Sequence, residues 1–285
     1  MHIRHLIGAA ASVLLLAGAA PHAASAAPAP PKSVELYAMD CGRFHVTDAD
    51  MFADDGAYKG MVKDLVVPCY LIRHPKGDLI WDTGVPQTIA DLPGGKAPGG
   101  LTVAHKLTDQ LKDLGLAPGD IEYLSISHGH FDHIGNAGLF AGSTWIVDPD
   151  EQAYVFRPQA RADKAGFAAY SALETSKTLR IEGESFDVFG DKSVVIYQAP
   201  GHTPGHTVLL VRTKGSGAVI LSGDMWHIAE SRAARRVPRF NVNREQTLKS
   251  MDLVETLAAD TKAKVIREHV PEDFDALPRF PKPLK

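Results

Sequence analysis

The densest metal-binding chemistry in the chain lies in Ser127-His128-Gly129-His130-Phe131-Asp132-His133-Ile134. Four ligand-type side chains fall within six positions, directly after the apolar run 121–126, so they emerge where a strand ends. Core filling does not use such residues. In a tight loop His128 and His130 alternate toward one centre, while Asp132 and His133 can address a second. Imidazole and carboxylate together suit zinc and similar borderline cations.

Three more elements offer ligands. Pro200-Gly201-His202-Thr203-Pro204-Gly205-His206-Thr207 must turn, given its two glycines and two prolines. His206 stands at the entrance of the next strand, a good place for a fixed ligand, and His202 reads as a turn or supporting residue. Leu221-Ser222-Gly223-Asp224 is an apolar strand ending in a carboxylate, which can offer one oxygen to each of two cations. His269 follows the short apolar run 264–266.

These residues need rigid elements behind them. Apolar and alternating runs predict strands over 34–39, 65–73, 79–81, 121–126, 145–147, 194–197, 207–211, 218–221 and 264–266. Helical spacing predicts helices over 103–114, ending at Gly115, and over 245–259. Strands interspersed with helices and no internal repeat predict a layered α/β protein of one domain over 34–285. Residues 27–33 read as a Pro/Ala linker, and the glycine-rich stretch 94–100 as a flexible loop inside the domain.

The chain has 285 residues, 45% hydrophobic, with 30 Lys+Arg against 34 Asp+Glu and a formal net charge of −4. That balance excludes a disordered chain and gives no basic surface for nucleic acid. Residues 1–26 have the form of a signal peptide: Arg4, an apolar run, then Ala24-Ser25-Ala26 at the cleavage position. The run is shorter than the ~20 residues of a bilayer-spanning helix. The expectation is an exported protein, periplasmic or secreted, with no stable membrane anchor. An oxidising compartment permits a Cys41–Cys69 bridge. Cys69, inside an apolar strand, reads instead as a small buried filler. Oligomeric state is left open, a homodimer included.

In their order along the chain, the four elements resemble the metallo-β-lactamase superfamily over most of the sequence, and Leu79-Ile80-Trp81-Asp82-Thr83-Gly84 resembles its strand-end Asp-Thr-Gly. The resemblance implies a four-layer αββα sandwich with two zinc ions at one edge of the sheets. Carried over by position, one zinc takes His128, His130 and His206, the other Asp132, His133 and His269, with Asp224 bridging. Asp82 is then the carboxylate that orients the metal loop.

Within the superfamily, the bridging Asp224 and the short stretch after it are most similar to the N-acyl-homoserine lactonases. The opening segments Val34-Glu35-Leu36-Tyr37, Cys41-Gly42-Arg43 and Val67-Pro68-Cys69-Tyr70-Leu71 are similar too, as is Phe131 inside the motif. The resemblance implies a hydroxide held between the two zincs that attacks the carbonyl of a small-molecule acylated lactone. His227 stands where many lactonases carry a Tyr, and the reading assigns His227 or Asp132 to protonate the departing alkoxide. Phe131, Met225 and Trp226 are expected to meet substrate, and Phe44, Met61 and Val62 to belong to a covering loop. Before the last ligand, Glu268 replaces the usual small residue. Other readings are an exported phosphotriesterase or arylesterase resembling methyl parathion hydrolase, a β-lactamase, and a non-catalytic zinc-binding protein.

Overall fold

A computed structural model describes residues 27–285; the signal-peptide reading of 1–26 lies outside them. Seven strands form one sheet: β1 (Glu35–Val46), β2 (Lys63–His74), β3 (Gly77–Thr83), β4 (Leu101–Thr102), β5 (Tyr123–Ser125), β6 (Thr144–Val147) and β7 (Thr178–Arg180), in the order β4-β1-β2-β3-β5-β6-β7. The second sheet holds β8 (Ser185–Asp187), β9 (Val194–Gln198), β10 (Thr207–Thr213), β11 (Gly217–Leu221) and β12 (Lys264–Ile266), in the order β12-β11-β10-β9-β8.

Side-chain alternation along the strands builds the layers. Tyr37, Met39, Leu71 and Ile80 face outward onto Leu107 and Leu111 of the helix Leu107–Asp113, with Phe140 and Val155. Their neighbours Leu36, Ala38, Tyr70, Ile72, Leu79 and Trp81 face inward and meet Ile196, Leu209, Val211, Leu221 and Ile266 of the other sheet. Val208, Leu210, Ile220 and Val265 point out of that second sheet onto Met251 and Val254 of the helix Arg244–Thr261. The result is helix, sheet, sheet, helix, as the family resemblance implies.

The parallel pairs β3/β5 and β11/β12 matter most for chemistry. Their carboxyl ends, and the turn from β9 to β10, bring Asp82, the 127–134 segment, Asp224, His269 and the 200–206 turn to one edge of the sandwich.

Three local expectations change. The helix expected over 103–114 begins only at Leu107, because Thr102 is paired with Arg43 and the Val103 N–H donates to Gly95. That bond, with another from Ala97 to Leu101, makes the glycine-rich stretch a hydrogen-bonded turn. The linker, likewise, is tied down, since the Arg73 guanidinium donates to the Pro28 and Ala29 carbonyls.

The cysteines are corrected as well. Cys41 and Cys69 form a disulfide, with Cα atoms 5.7 Å apart. Both lie on the outward face of the first sheet. A register shift in β1 between Asp40 and Arg43 seats Cys41 over its neighbour strand, which no reading of Cys69's flanks alone reveals.

Candidate metal centre

Asp82, the penultimate residue of β3, lies in the left-handed region, φ 54°, a strained position for a side chain other than glycine. That twist turns its carboxylate beneath the metal loop. Oδ1 accepts from the Ser127 N–H at 2.6 Å; Oδ2 accepts from Ser127 Oγ at 2.8 Å and from His133 Nδ1 at 2.8 Å. With Ser127 Oγ–H committed to Asp82, His128 Nδ1 donates to that oxygen at 3.0 Å. His269 Nδ1 donates to the Val66 carbonyl at 2.8 Å. Each outer bond fixes a tautomer whose bare Nε2 faces the interior. Asp82 thus ties Ser127 and His133 of the loop to the end of β3.

These three bare nitrogens, together with Nε2 of His202, converge on Asp224. Oδ2 lies 3.3 Å from His128 Nε2 and 3.2 Å from His202 Nε2. Oδ1 lies 3.2 Å from His133 Nε2 and 2.8 Å from His269 Nε2. Donor atoms of His128, His130, His202 and Asp224 all lie within 4.8 Å of one another, as do those of Asp132, His133 and His269. Proton-free nitrogens cannot hydrogen-bond to a carboxylate, and His128 Nε2 and Asp224 Oδ1 are buried with no hydrogen-bond partner. Such an arrangement repels itself unless cations sit among the donors. Imidazole and carboxylate in two adjoining groups fit a pair of zinc-like ions. Asp224 is buried, which opposes ionisation, and positive charge around its oxygens is what holds its carboxyl well below the ordinary range.

One ligand assignment is corrected. His206 does not face the donors: its Nδ1 donates to the Ala199 carbonyl at 3.1 Å and its Nε2 accepts the Asp224 N–H at 3.0 Å. Both nitrogens are occupied, and burial pushes its pKa down to about 3. His202, read as a turn residue, takes the place in the first group.

Two substrate-contact expectations also change. Met225 and Trp226 are buried at 0% and 1% exposure, packed with Val208, Leu210, Met251 and Val254 under the long helix. Phe131, the third residue expected to meet substrate, is 52% exposed. His227 Nε2 lies 3.0 Å from Asp224 Oδ2, and its ring stacks on Phe52 at 4.8 Å. Phe44 and Met61 pack beside Phe52 in a small cluster, while Val62 is exposed.

Several residues were not singled out from sequence. Phe240 places its ring 5.3 Å from His227 and 5.7 Å from His202. The segments bearing Phe52 and Phe240 are joined by the ion pairs Arg236–Asp55, Arg239–Asp50 and Arg244–Asp54. Glu268, noticed only as a departure, accepts from Trp81 Nε1 at 3.2 Å and from the Gly223 N–H at 2.8 Å, tying β3 to the turn that carries Asp224. Burial pushes its carboxyl up to about 8, with Asp82 adding to the effect. These partners are distant in sequence, and only the charge pattern of 50–55 against 236–244 is a signal that could have been read.

Known proteins repeat this arrangement of chain. N-acyl homoserine lactonase AttM of Azorhizobium caulinodans is 30% identical over 263 residues, covering 87% of this chain and 97% of that protein. N-acyl homoserine lactonase AiiA of Bacillus thuringiensis subsp. kurstaki is 27% identical, again covering 87% and 97%. Among solved structures, an N-acyl homoserine lactone hydrolase with the product N-hexanoyl-L-homoserine at its catalytic metal centre superposes with a TM-score of 0.72, at 27% identity, over 88% of this chain and 98% of that one. A profile of the metallo-beta-lactamase superfamily matches residues 62–263. With the αββα layers, the His-x-His-x-Asp-His loop and Asp224 between two donor groups, that match establishes that the chain belongs to the metallo-beta-lactamase superfamily.

Proposed function

We propose that this protein is a dinuclear zinc hydrolase that opens the lactone ring of N-acyl-homoserine lactones. The observation that carries the reading is Asp224, whose two oxygens each face a separate set of imidazoles. The lactonase relatives, similar over nearly their full length, support the substrate class. Zinc ions held there would polarise the lactone carbonyl and render a coordinated water acidic enough to serve as nucleophile near neutral pH.

The chain's own residues supply the rest. Asp224 keeps the two donor groups at a fixed separation. Asp82 and Ser127 hold His128 and His133 with their Nε2 atoms bare. His227, pressed against Phe52 with Nε2 toward the centre, is placed to give a proton to the ring oxygen as it leaves; Asp132, half-buried beside His269, is the other acid in reach. Phe131, exposed inside the metal motif, and Phe240, exposed beside His130 and His202, are the apolar side chains this reading assigns to the acyl chain. Export through the signal peptide belongs to this reading, and the Cys41–Cys69 bridge supports an oxidising compartment.

The test is a substrate panel on purified, zinc-loaded protein: an acyl-homoserine lactone, a phosphotriester, an aryl ester and a β-lactam. The expected result is that the lactone has the highest kcat/KM. Fast phosphotriester cleavage without lactone turnover would overturn the assignment.

A further inference from the structure

Glu151 lies outside every motif above, yet it touches both loops of one metal group. It sits in the helix Pro149–Val155 and is 1% exposed. Oε1 accepts from the Gly129 N–H at 2.7 Å, between His128 and His130. Oε2 accepts from Thr203 Oγ1 at 2.7 Å and from the Gly205 N–H at 3.0 Å, on the turn that carries His202. All three donors are neutral, so a buried carboxylate is kept without a cationic partner, a costly arrangement unless it serves something.

The surroundings enforce the position. Asp148 caps the helix, accepting from the Asp150 N–H at 2.8 Å and the Glu151 N–H at 3.4 Å, and its other oxygen accepts from Gln198 Nε2 at 2.6 Å. A side chain at Gly129 would collide with Val155, and one at Gly205 with the backbone of Glu151 and with Asp148. Both loops thus lie as close to this helix as a backbone can.

The second metal group is held by other means. His133 is fixed by Asp82, and its carbonyl accepts from Thr83 Oγ1 at 2.9 Å; His269 is fixed by Val66. None of these contacts involves Glu151. We infer that Glu151 is a positioning residue for one metal only: it clamps the loop of His128 and His130 to the turn of His202, and so sets the affinity of that group and not of the Asp132–His133–His269 group.

This inference rests on the dinuclear reading of the site but not on the identity of the substrate. Glu151→Gln keeps the shape but turns an amide N–H₂ toward one of the loops, where it meets a donor. Zinc affinities of the full chain are measured by competition with a chromogenic chelator. In the His269→Ala background, which leaves the first group intact, Glu151→Gln is expected to weaken the remaining zinc by about 10–100-fold. In the His202→Ala background the same change should leave the remaining zinc within about 3-fold, the scale of independent sites. Thr203→Val, which removes one donor and keeps the carboxylate, should weaken the first group alone by a smaller factor, and it serves if Glu151→Gln fails to fold. Equal weakening in both backgrounds, or in neither, overturns the inference. A wild-type chain taking up fewer than two zinc equivalents removes the dinuclear reading as well, so the two failures are distinguishable.

Discussion

His206 Nε2 accepts the backbone N–H of Asp224 at 3.0 Å, and this bond makes the ring a support for the bridging carboxylate. His202, four residues earlier, points Nε2 at that carboxylate instead. The two histidines therefore separate by experiment. His202→Ala is expected to bind one zinc equivalent. His206→Ala should still bind two under replete conditions, with affinity reduced about 10–100-fold, the scale of losing an outer partner. Elemental analysis after dialysis decides, and the reverse pattern would restore His206 as a ligand.

His227→Phe preserves the ring that stacks on Phe52 and deletes the nitrogen near Asp224. Lactone turnover is expected to fall in kcat by about 10²–10⁴-fold, the usual contribution of a positioned proton donor. Metal content should hold. Loss of zinc from this variant would make His227 a ligand instead.

Trp226 and Phe240 lie near the centre in opposite environments, one at 1% and the other at 39% exposure. Trp226→Ala opens a cavity under the helix Arg244–Thr261 and should lower the unfolding free energy by about 3–5 kcal/mol. Phe240→Ala should cost under about 1 kcal/mol, because its ring is part-solvated, and should raise KM for long-chain acyl lactones. Urea titration and steady-state kinetics on both variants read the two effects, and an unchanged KM for Phe240→Ala would remove it from the substrate rim.

Cys41 and Cys69 are separated by 28 positions. Opening a loop of that length is expected to lower stability by about 3–4 kcal/mol, by release of the unfolded chain. The comparison is a urea unfolding curve with and without reductant, repeated for Cys41→Ala/Cys69→Ala in the absence of reductant. Coincident curves would show that the bridge adds nothing.

What the sequence determined by itself is what short spacing and strand periodicity can express. His128, His130, Asp132 and His133 share one loop, so their convergence needs no distant partner. The continuous apolar runs over 65–72 and 208–211 already mark strands buried on both faces, and hence a layered α/β protein, while the order of the four layers came from the family resemblance. Asp224 and His269 each follow an apolar strand, but alone each is an ordinary strand-end residue; Asp224 gained weight from the other ligand elements and His269 from the family resemblance.

The tertiary structure decided everything that depends on which surface another segment presents. His202 and His206 occupy the same turn and have the same chemistry; the ligand is chosen by which ring finds Ala199 and the Asp224 N–H behind it. Met225 and Trp226 adjoin a metal-site residue in sequence but are drawn under a helix that begins well downstream. Cys41 meets Cys69 through a local shift of strand register. Glu151 reaches Gly129 and Gly205 only because close packing brings its helix against two bare backbones. Periodicity records which face of an element is buried, but not the identity of the atom that covers it.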